Sequence, residues 1–484
     1  MNNISKKTRL FALLLCGLLA ASCGSGTSTT DTTAADTTTA APETELTDGL
    51  PDTDMEGFEL KILHFDGTWL SWAETIMDAE SENGDILNDS IYRRNANIAE
   101  RFNCEITVDG IKSINAAYMQ QEAMAGDANY DVYFNYDIWI TGAIQYLLPW
   151  EELPYVNLEA EWWNPGATSV FQIGGKTYSA AGNYSLSVLS RAAGYLFNKT
   201  MLEEIQGGDI YQLVRDGKWT LDKMFGMAKL AYTDIDGDSQ MGDKDRYGIT
   251  GSWKEFMTRI LLGADVRYIN KDKEGYPAFT LPTDEFTINK MLKISDYVMD
   301  MEAYHAEAST NIDSIGGKGD FKNGLALFYM GNPFLLVGYR DSDLDIGFVP
   351  CPKYDEEQKE YRSPSFGAEV SVLPITLPED RMENVGMLLE ALNFASDQDV
   401  VPTYKEVVLK TKSARDDDSA DMIDILFDTV CFDFGINAWQ DQVTRPLING
   451  IYSNRSGNVA STLAGMQSSV DEQIKKLVEA VKGE

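Results

Sequence analysis

The stretch FELKILHF, residues 58–65, sets how the rest of the chain reads. Phe58, Leu60 and Ile62 face one way and Lys61, Leu63 and Phe65 the other, the period of two that a β-strand requires. Downstream, Ile86, Leu87, Ile91, Ile98, Ala99 and Phe102 recur near helical spacing with Arg93, Arg94 and Glu100 on the polar side, which predicts a helix. A second strand follows over Glu105–Val108, a helix over Ala116–Ala125, a third strand over Tyr130–Phe134 and another helical run over Ile138–Leu148. This alternation predicts an α/β fold of βαβ units, with a largely parallel sheet and helices on both faces. Ligands of such sheets sit beyond the carboxyl ends of the strands. Residues 64–72 and 135–139 are therefore the first places to look for a site.

A second α/β lobe is expected in the middle of the chain, with strands over Ala193–Phe197, Ala326–Met330 and Asp345–Val349 and helices over Asn198–Ile205 and Leu221–Leu230. Pro350, Pro352, Pro364, Pro374 and Pro378 then punctuate an extended stretch. Helical patterns return over Glu383–Ala395 and Ala420–Thr429 and at the end, where Val470, Ile474, Leu477, Val478 and Val481 recur at amphipathic spacing. Gly207-Gly208 and Gly316-Gly317 read as turns, since neither opens a phosphate-binding GxxxxGK[ST] or GxGxxG pattern.

Upstream of Phe58 the text is of another kind. Lys6, Lys7 and Arg9 precede an apolar run, Leu10–Ala21, and the small residues Ala20-Ala21-Ser22 stand before Cys23. Such a run spans about 18 Å as a helix, short of the roughly 30 Å hydrocarbon core. Residues 1–22 are thus expected to be a cleaved export signal. Their removal deletes three positive charges and takes the net charge from -36 to -39. Residues 24–57 hold eleven Thr, five Asp, three Glu and no Lys or Arg. A segment so poor in apolar residues cannot offset its ordering entropy, so 23–57 is expected to be a disordered tether.

Composition narrows the function. With 76 Asp and Glu against 40 Lys and Arg, the chain would repel a nucleic-acid backbone. Two histidines, His64 and His305, are too few for most imidazole-based metal chemistry. Cys104, Cys351 and Cys431 allow at most one internal disulfide beside Cys23, so the chain is no disulfide scaffold. No GxSxG, no SxxK and no paired Cys and His mark a nucleophile, and no carboxylate pair is singled out by spacing.

Four strings carry a resemblance: YDVYFNYDIWITGAIQYLLPWEELPYV (130–156), GGKTYSAAGNYSLSVLSRAAGYLFNKTMLEEI (174–205), GKWTLDKMFGMAKLAYTDIDGDSQMGDKDRYGI (217–249) and DIGFVPCPKYDEEQKEYRSP (345–364). In order and spacing they resemble the extracellular solute-binding proteins of ABC importers, specifically the carbohydrate-binding family that includes maltodextrin-binding proteins, in its Gram-positive lipoprotein form. The resemblance covers nearly all of 58–484. It implies a two-lobed periplasmic-binding-protein-like fold, with discontinuous lobes joined by hinge strands and a ligand cleft between them. One lobe would take 58–178 plus 371–430, the other 179–370 plus 431–484. Leu-Ala-Ala-Ser-Cys is similar to a lipobox, which implies lipidation of Cys23 and a place on the extracellular face of the cell membrane. The implied partners are a carbohydrate and the permease subunits of an ABC transporter, the implied state a monomer, and the implied role non-enzymatic. A glycan-active hydrolase and a ligand-sensing ectodomain are the alternatives.

Sugars present hydroxyl rims and apolar CH faces, so a site needs polar side chains beside aromatic platforms. Just after predicted strands, Trp69, Trp72 and Trp139 supply platforms and Asp66, Asn135 and Asp137 polar partners, with His64 at the end of the first strand. Asn183, Tyr184 and Trp253 are candidates across the cleft. The resemblance adds Phe334, in YMGNPF, and Trp439, in INAWQDQV. Trp162 and Trp163 beside Pro165 read as a packing corner. Asp234, Asp236, Asp238, Gln240 and Asp245 fall at positions 1, 3, 5, 7 and 12 of a loop, the oxygen spacing of a calcium site. Ser239 stands where such loops carry Gly, and Asp245 replaces the usual Glu. A structural calcium and an acidic surface turn capped by its own side chains both fit this pattern.

Overall fold

The structure is a computed structural model and describes residues 47–65, 77–112, 114–137, 140–299, 304–306, 321–339, 342–409, 417–453 and 457–483. The apolar face of FELKILHF does what its alternation demands. Strand β1 (Phe58–Phe65) buries Leu60, Ile62, Leu63 and Phe65 and feeds helix α1 (Ile86–Phe102). Asp85 caps that helix by accepting from the amides of Leu87 and Asn88, and Asn103 ends it in the left-handed region at φ 49°. Strand β2 (Cys104–Ile111), helix α2 (Ala116–Ala125), strand β3 (Val132–Tyr136) and the short β4 (Leu147–Leu148) complete the first run. β1 lies parallel to both β2 and β3.

The second sheet is built from β5 (Gly194–Asn198), then helix α3 (Leu221–Ala231), β6 (Tyr247–Gly251), helices α4 (Trp253–Gly263) and α5 (Glu285–Met299), and strands β7 (Tyr304–Ala306), β8 (Ala326–Gly331) and β9 (Ile346–Pro350), in the spatial order β7-β6-β8-β5-β9. The chain then returns as β10 (Glu369–Pro374), which inserts into the first sheet to give β2-β1-β3-β10-β4. A strand arriving from the other lobe enters in the opposite sense, so β10 runs antiparallel to β3 and β4, and β5 likewise to β8 and β9. Both sheets are therefore mixed rather than largely parallel.

Two crossing segments run side by side where Ala180 and Ser371 exchange backbone hydrogen bonds of 2.9 Å. A further pairing joins Ser363–Pro364 to Val430–Cys431. Helix α6 (Glu379–Ala395) packs on β1 and α1. Helix α7 (Val401–Leu409) lies against α1 and the helix that opens at Pro333, while α8 (Asp417–Asp428) packs on β9. Residues 417–428 thus sit on the second sheet, although the sequence boundary at 430 assigns them to the first lobe. Helix α9 (Val459–Lys482) touches α5 on one side and Ile144–Tyr146 of the first lobe on the other.

The tether expected over 23–57 ends earlier than its composition suggests. Asp48 and Asp52 pair with Arg101, Met55 is buried, and the amides of Met55 and Gly57 donate at 2.8 Å to Phe102 O and Asn103 O. Residues 48–57 thereby satisfy carbonyls left open at the end of α1. The export signal and Cys23 lie outside the described residues. Trp162 and Trp163 form the packing corner expected of them, their indole N–H groups donating at 2.9 and 2.7 Å to Glu390, which is buried in α6. Cys104, Cys351 and Cys431 are buried free thiols, and burial pushes the Cys104 and Cys431 thiols up to about 11.

Candidate functional site

The loops at the carboxyl ends of β2 and β3 face the C-terminal segment across a groove of about 560 Å³. Asn115, Ala116, Ala117, Thr141 and Gly142 form one wall, while Trp439–Gln442, Arg445, Gln473 and Lys476 supply most of the other. The indole of Trp439 is 3% exposed and stands edge-on to Phe434, with ring centroids 4.7 Å apart. Amides line the groove at Asn115, Gln440, Gln442 and Gln473, and each offers donors and an acceptor together. Lys254 at the start of α4 donates to Gln440 Oε1 at 2.8 Å and so ties the groove to the second lobe. A smaller concavity, about 370 Å³, lies between Ser169–Val170 and Phe432–Phe434. It is walled by Arg267, Ile269, Lys271, Pro277, Asp433 and phenyl rings, whereas the amide-lined groove opens at the carboxyl ends of β2 and β3 and is the better candidate.

Beside the groove the lobes are fastened by a buried polar cluster. Asp137, just past β3, accepts from Asn437 Nδ2 at 2.6 Å and from the Gly367 amide at 3.1 Å, while its own amide donates to Ala368 O. Asn437 Nδ2 also donates to Ser365 O at 2.9 Å. Arg191 Nη1 reaches Phe366 O at 3.5 Å. From the second lobe, Arg259 pairs with Glu255 one helical turn earlier, at 2.9 Å with both side chains buried, and its guanidinium lies 5.3 Å from the Phe366 ring centroid. Glu369, the first residue of β10, is 1% exposed, and burial pushes its carboxyl up to about 8 although Arg191 opposes the shift.

The sequence candidates divide among several places. Trp439 lines the groove. Asp137 is at the lobe junction but is buried, holding backbone and Asn437 rather than facing open space. Asn135 is turned inward, donating to Ile114 O and accepting from the Tyr136 amide. Asn183 is spent on Asn164 and Asp397, and Tyr184 is a core ring, 5.4 Å from Phe134 and covered by the Arg94 guanidinium at 4.4 Å. Asn183 and Tyr184 brace the first lobe, because the chain leaving Trp162 and Trp163 runs along it before crossing. His64 is half-buried beside Phe134 in the sheet. Phe334 is half-buried in the helix that opens at Pro333, against a core cluster that includes Leu335 and Tyr339. Trp253 opens α4. Asp66, Trp69, Trp72 and Trp139 lie outside the described residues.

Sequence reasoning overlooked Arg191, Glu255, Arg259, Phe366, Gly367, Glu369 and Asn437. One signal was available for two of them: Glu255 and Arg259 are an oppositely charged i, i+4 pair within the otherwise largely apolar EFMTRILLG run (255–263).

In the acidic loop, one carboxylate oxygen from each of Asp234, Asp236 and Asp245 comes within 4.8 Å of the others. Asp245 is buried and accepts from the Ile235 and Gly242 amides, which hold its carboxyl below the usual range. Asp234 accepts from the Gly237 and Ser239 amides. Ser239 adopts φ 63°, the left-handed turn for which such loops use Gly. Asp238 instead accepts from the Gln240 amide and is not in the converging trio. Three converging carboxylates on a preformed turn fit a hard divalent cation.

No protein-family model matches the chain, and no curated protein matches it in sequence. Solved structures do match. A cyclo/maltodextrin-binding protein complexed with maltotetraose aligns over 90% of this chain and 97% of its own, at 14% identity and a TM-score of 0.50. The cyclic α-maltosyl-1,6-maltose binding protein from Arthrobacter globiformis aligns over 87% of this chain and 100% of its own, at 13% identity and a TM-score of 0.56. At such identities the likeness is one of fold, and the fold of this chain is the two-lobed α/β architecture of those binding proteins.

Proposed function

We propose that the chain is the substrate-binding component of an ABC importer, which captures a carbohydrate between its lobes and hands it to the membrane permease without altering it. The observation that carries this reading is the groove at the carboxyl ends of β2 and β3, where an indole and four amides meet across two lobes. Amides satisfy hydroxyls in either sense, and the indole, itself buried, backs the groove wall. The guanidinium of Arg259 already faces Glu255, so this buried charge at the lobe junction is balanced within the protein. That balance favours a neutral saccharide over a charged one. The sugars named for the two structural relatives are of this neutral class. In this reading a lipid on Cys23 anchors a monomer to the outer face of the membrane.

Calorimetric titration with maltotetraose and a panel of other oligosaccharides tests the proposal. Wild type is expected to bind at least one of them, and Trp439→Ala to lose about 2 to 4 kcal/mol of binding energy, as for a strong aromatic hot spot. Failure of every saccharide to bind, or steady cleavage of one, would overturn it.

The proposal includes a structural calcium held by Asp234, Asp236 and Asp245. Saturation at roughly a hundred times the dissociation constant contributes about 2.7 kcal/mol, so chelation is expected to lower the melting temperature and Asp236→Ala to abolish that sensitivity. Identical melting of calcium-loaded and chelator-stripped wild type, with metal content verified, would count against the ion.

A further inference from the structure

We infer that Phe366 is a ligand platform at the pivot of the cleft, an inference that rests on the carbohydrate reading above. Within the crossing segment 363–374 only Phe366 and Gly367 escape burial, and every other residue is buried. The backbone on both sides of the ring is held from three directions. Asn437 holds Ser365 O, Arg191 holds Phe366 O, and Asp137 holds the Gly367 amide and Ala368 O. Gly367 sits at φ +66°, and a Cβ there would stand 2.8 Å from Arg191 Nη1, so the turn that presents the ring requires glycine.

Arg259 of the second lobe meets the ring, and Asp137 of the first lobe holds the turn beneath it. Phe366 is therefore fixed relative to both lobes before any ligand arrives. Presenting a ring this way removes the ordering cost that a mobile aromatic would incur on binding. A phenyl has no polar handle, so what it offers is stacking against the CH face of a sugar ring. Asn437, two residues before Trp439, joins this turn to the groove wall. Asp137, Arg191 and Asn437 act as positioning residues for the platform.

The test is calorimetric titration of wild type, Phe366→Ala, Phe366→Leu and Phe366→Tyr with maltotetraose, cellotetraose and xylotetraose, alongside thermal unfolding of each. For whichever probe wild type binds, Phe366→Ala and Phe366→Leu are expected to lose about 10- to 100-fold in affinity, while Phe366→Tyr stays within about threefold. Phe366→Leu keeps apolar bulk, so its loss of affinity at an unchanged melting temperature separates stacking from folding. If wild type binds a probe and a folded Phe366→Leu binds it within about twofold, the platform is refuted while the carbohydrate reading stands. If wild type binds none of the three or any wider set, both fall together.

Discussion

Raising the pH from about 5 to about 9 is expected to weaken the folded state through Glu369, and Glu369→Gln to remove that loss. The carboxyl is 1% exposed, and Ser185 Oγ donates to it at 3.5 Å. Burial lifts it from the ordinary value of 4.5 to about 8, with Arg191 as the opposing charge. Between those values the folded chain holds a proton that the unfolded chain has released, so stability falls as pH rises. The contribution is full below about pH 4.5, declines through the window and is gone above about pH 8. At about 1.36 kcal/mol per pH unit, a shift of this size corresponds to a loss of the order of 5 kcal/mol. Glutamine keeps the shape and never ionises, so the variant should be more stable than wild type at high pH and similar to it at low pH. Asp433, raised to about 6 by burial, adds a slope of the same sign but is common to both proteins. Urea unfolding at several pH values isolates Glu369 in the difference between them. A difference that does not change across pH 5 to 9 would show that the carboxylate is hydrated in the folded state.

How much of this was legible from the text depends on where the information lay. Helices α1 and α2 run over the residues marked for them; α1 has a buried face and α2 buries Met119 alone, and each has a polar cap before it and a left-handed residue after it. Helix α4 was not read as a helix. The period is present in the text, with Phe256, Met257, Ile260 and Leu261 on one side and Lys254, Glu255, Thr258 and Arg259 on the other, but it went unread, and the structure buries Glu255, Thr258 and Arg259 as well. Asp137 was legible as a strand-end residue. Its partner Asn437 was not, since 300 residues separate them and only the return of β10 and the C-terminal segment brings them together. Asn183 and Tyr184 lie near the crossing in sequence, yet their side chains point into the first lobe. A one-dimensional reading fixes distance from a hinge but not direction. The composition of 48–57 misled because three residues, Asp48, Asp52 and Met55, suffice to pin a polar segment to the end of α1.

Arg259→Met is expected to destabilise the protein by about 3 to 5 kcal/mol, the cost of breaking a buried ion pair from one side. Arg259 and Glu255 have side chains 3% and 7% exposed, so neither can recover water when its partner is removed. Arg259→Met leaves the Glu255 carboxylate buried without its cation. Glu255→Gln leaves a guanidinium against a neutral amide, which still accepts one hydrogen bond, and should cost less. Removing both charges together, Glu255→Leu with Arg259→Met, eliminates the desolvation of two ions and fills the space with apolar groups. The double variant is therefore expected to lie within about 1.5 kcal/mol of wild type, well above Arg259→Met alone. Urea unfolding of wild type, Glu255→Leu, Arg259→Met and the double variant closes the cycle, and the interaction energy is expected to be of the order of 3 kcal/mol. Additive effects would mean that solvent reaches the pair in the folded state. The same cycle read by saccharide titration says why the pair is kept where hydrophobic residues would serve stability as well. Because Arg259 lies 5.3 Å from the Phe366 ring centroid, the double variant should fold yet bind less tightly than wild type. Wild-type affinity in a well-folded double variant would mean that the pair serves the packing of α4 and not the cleft.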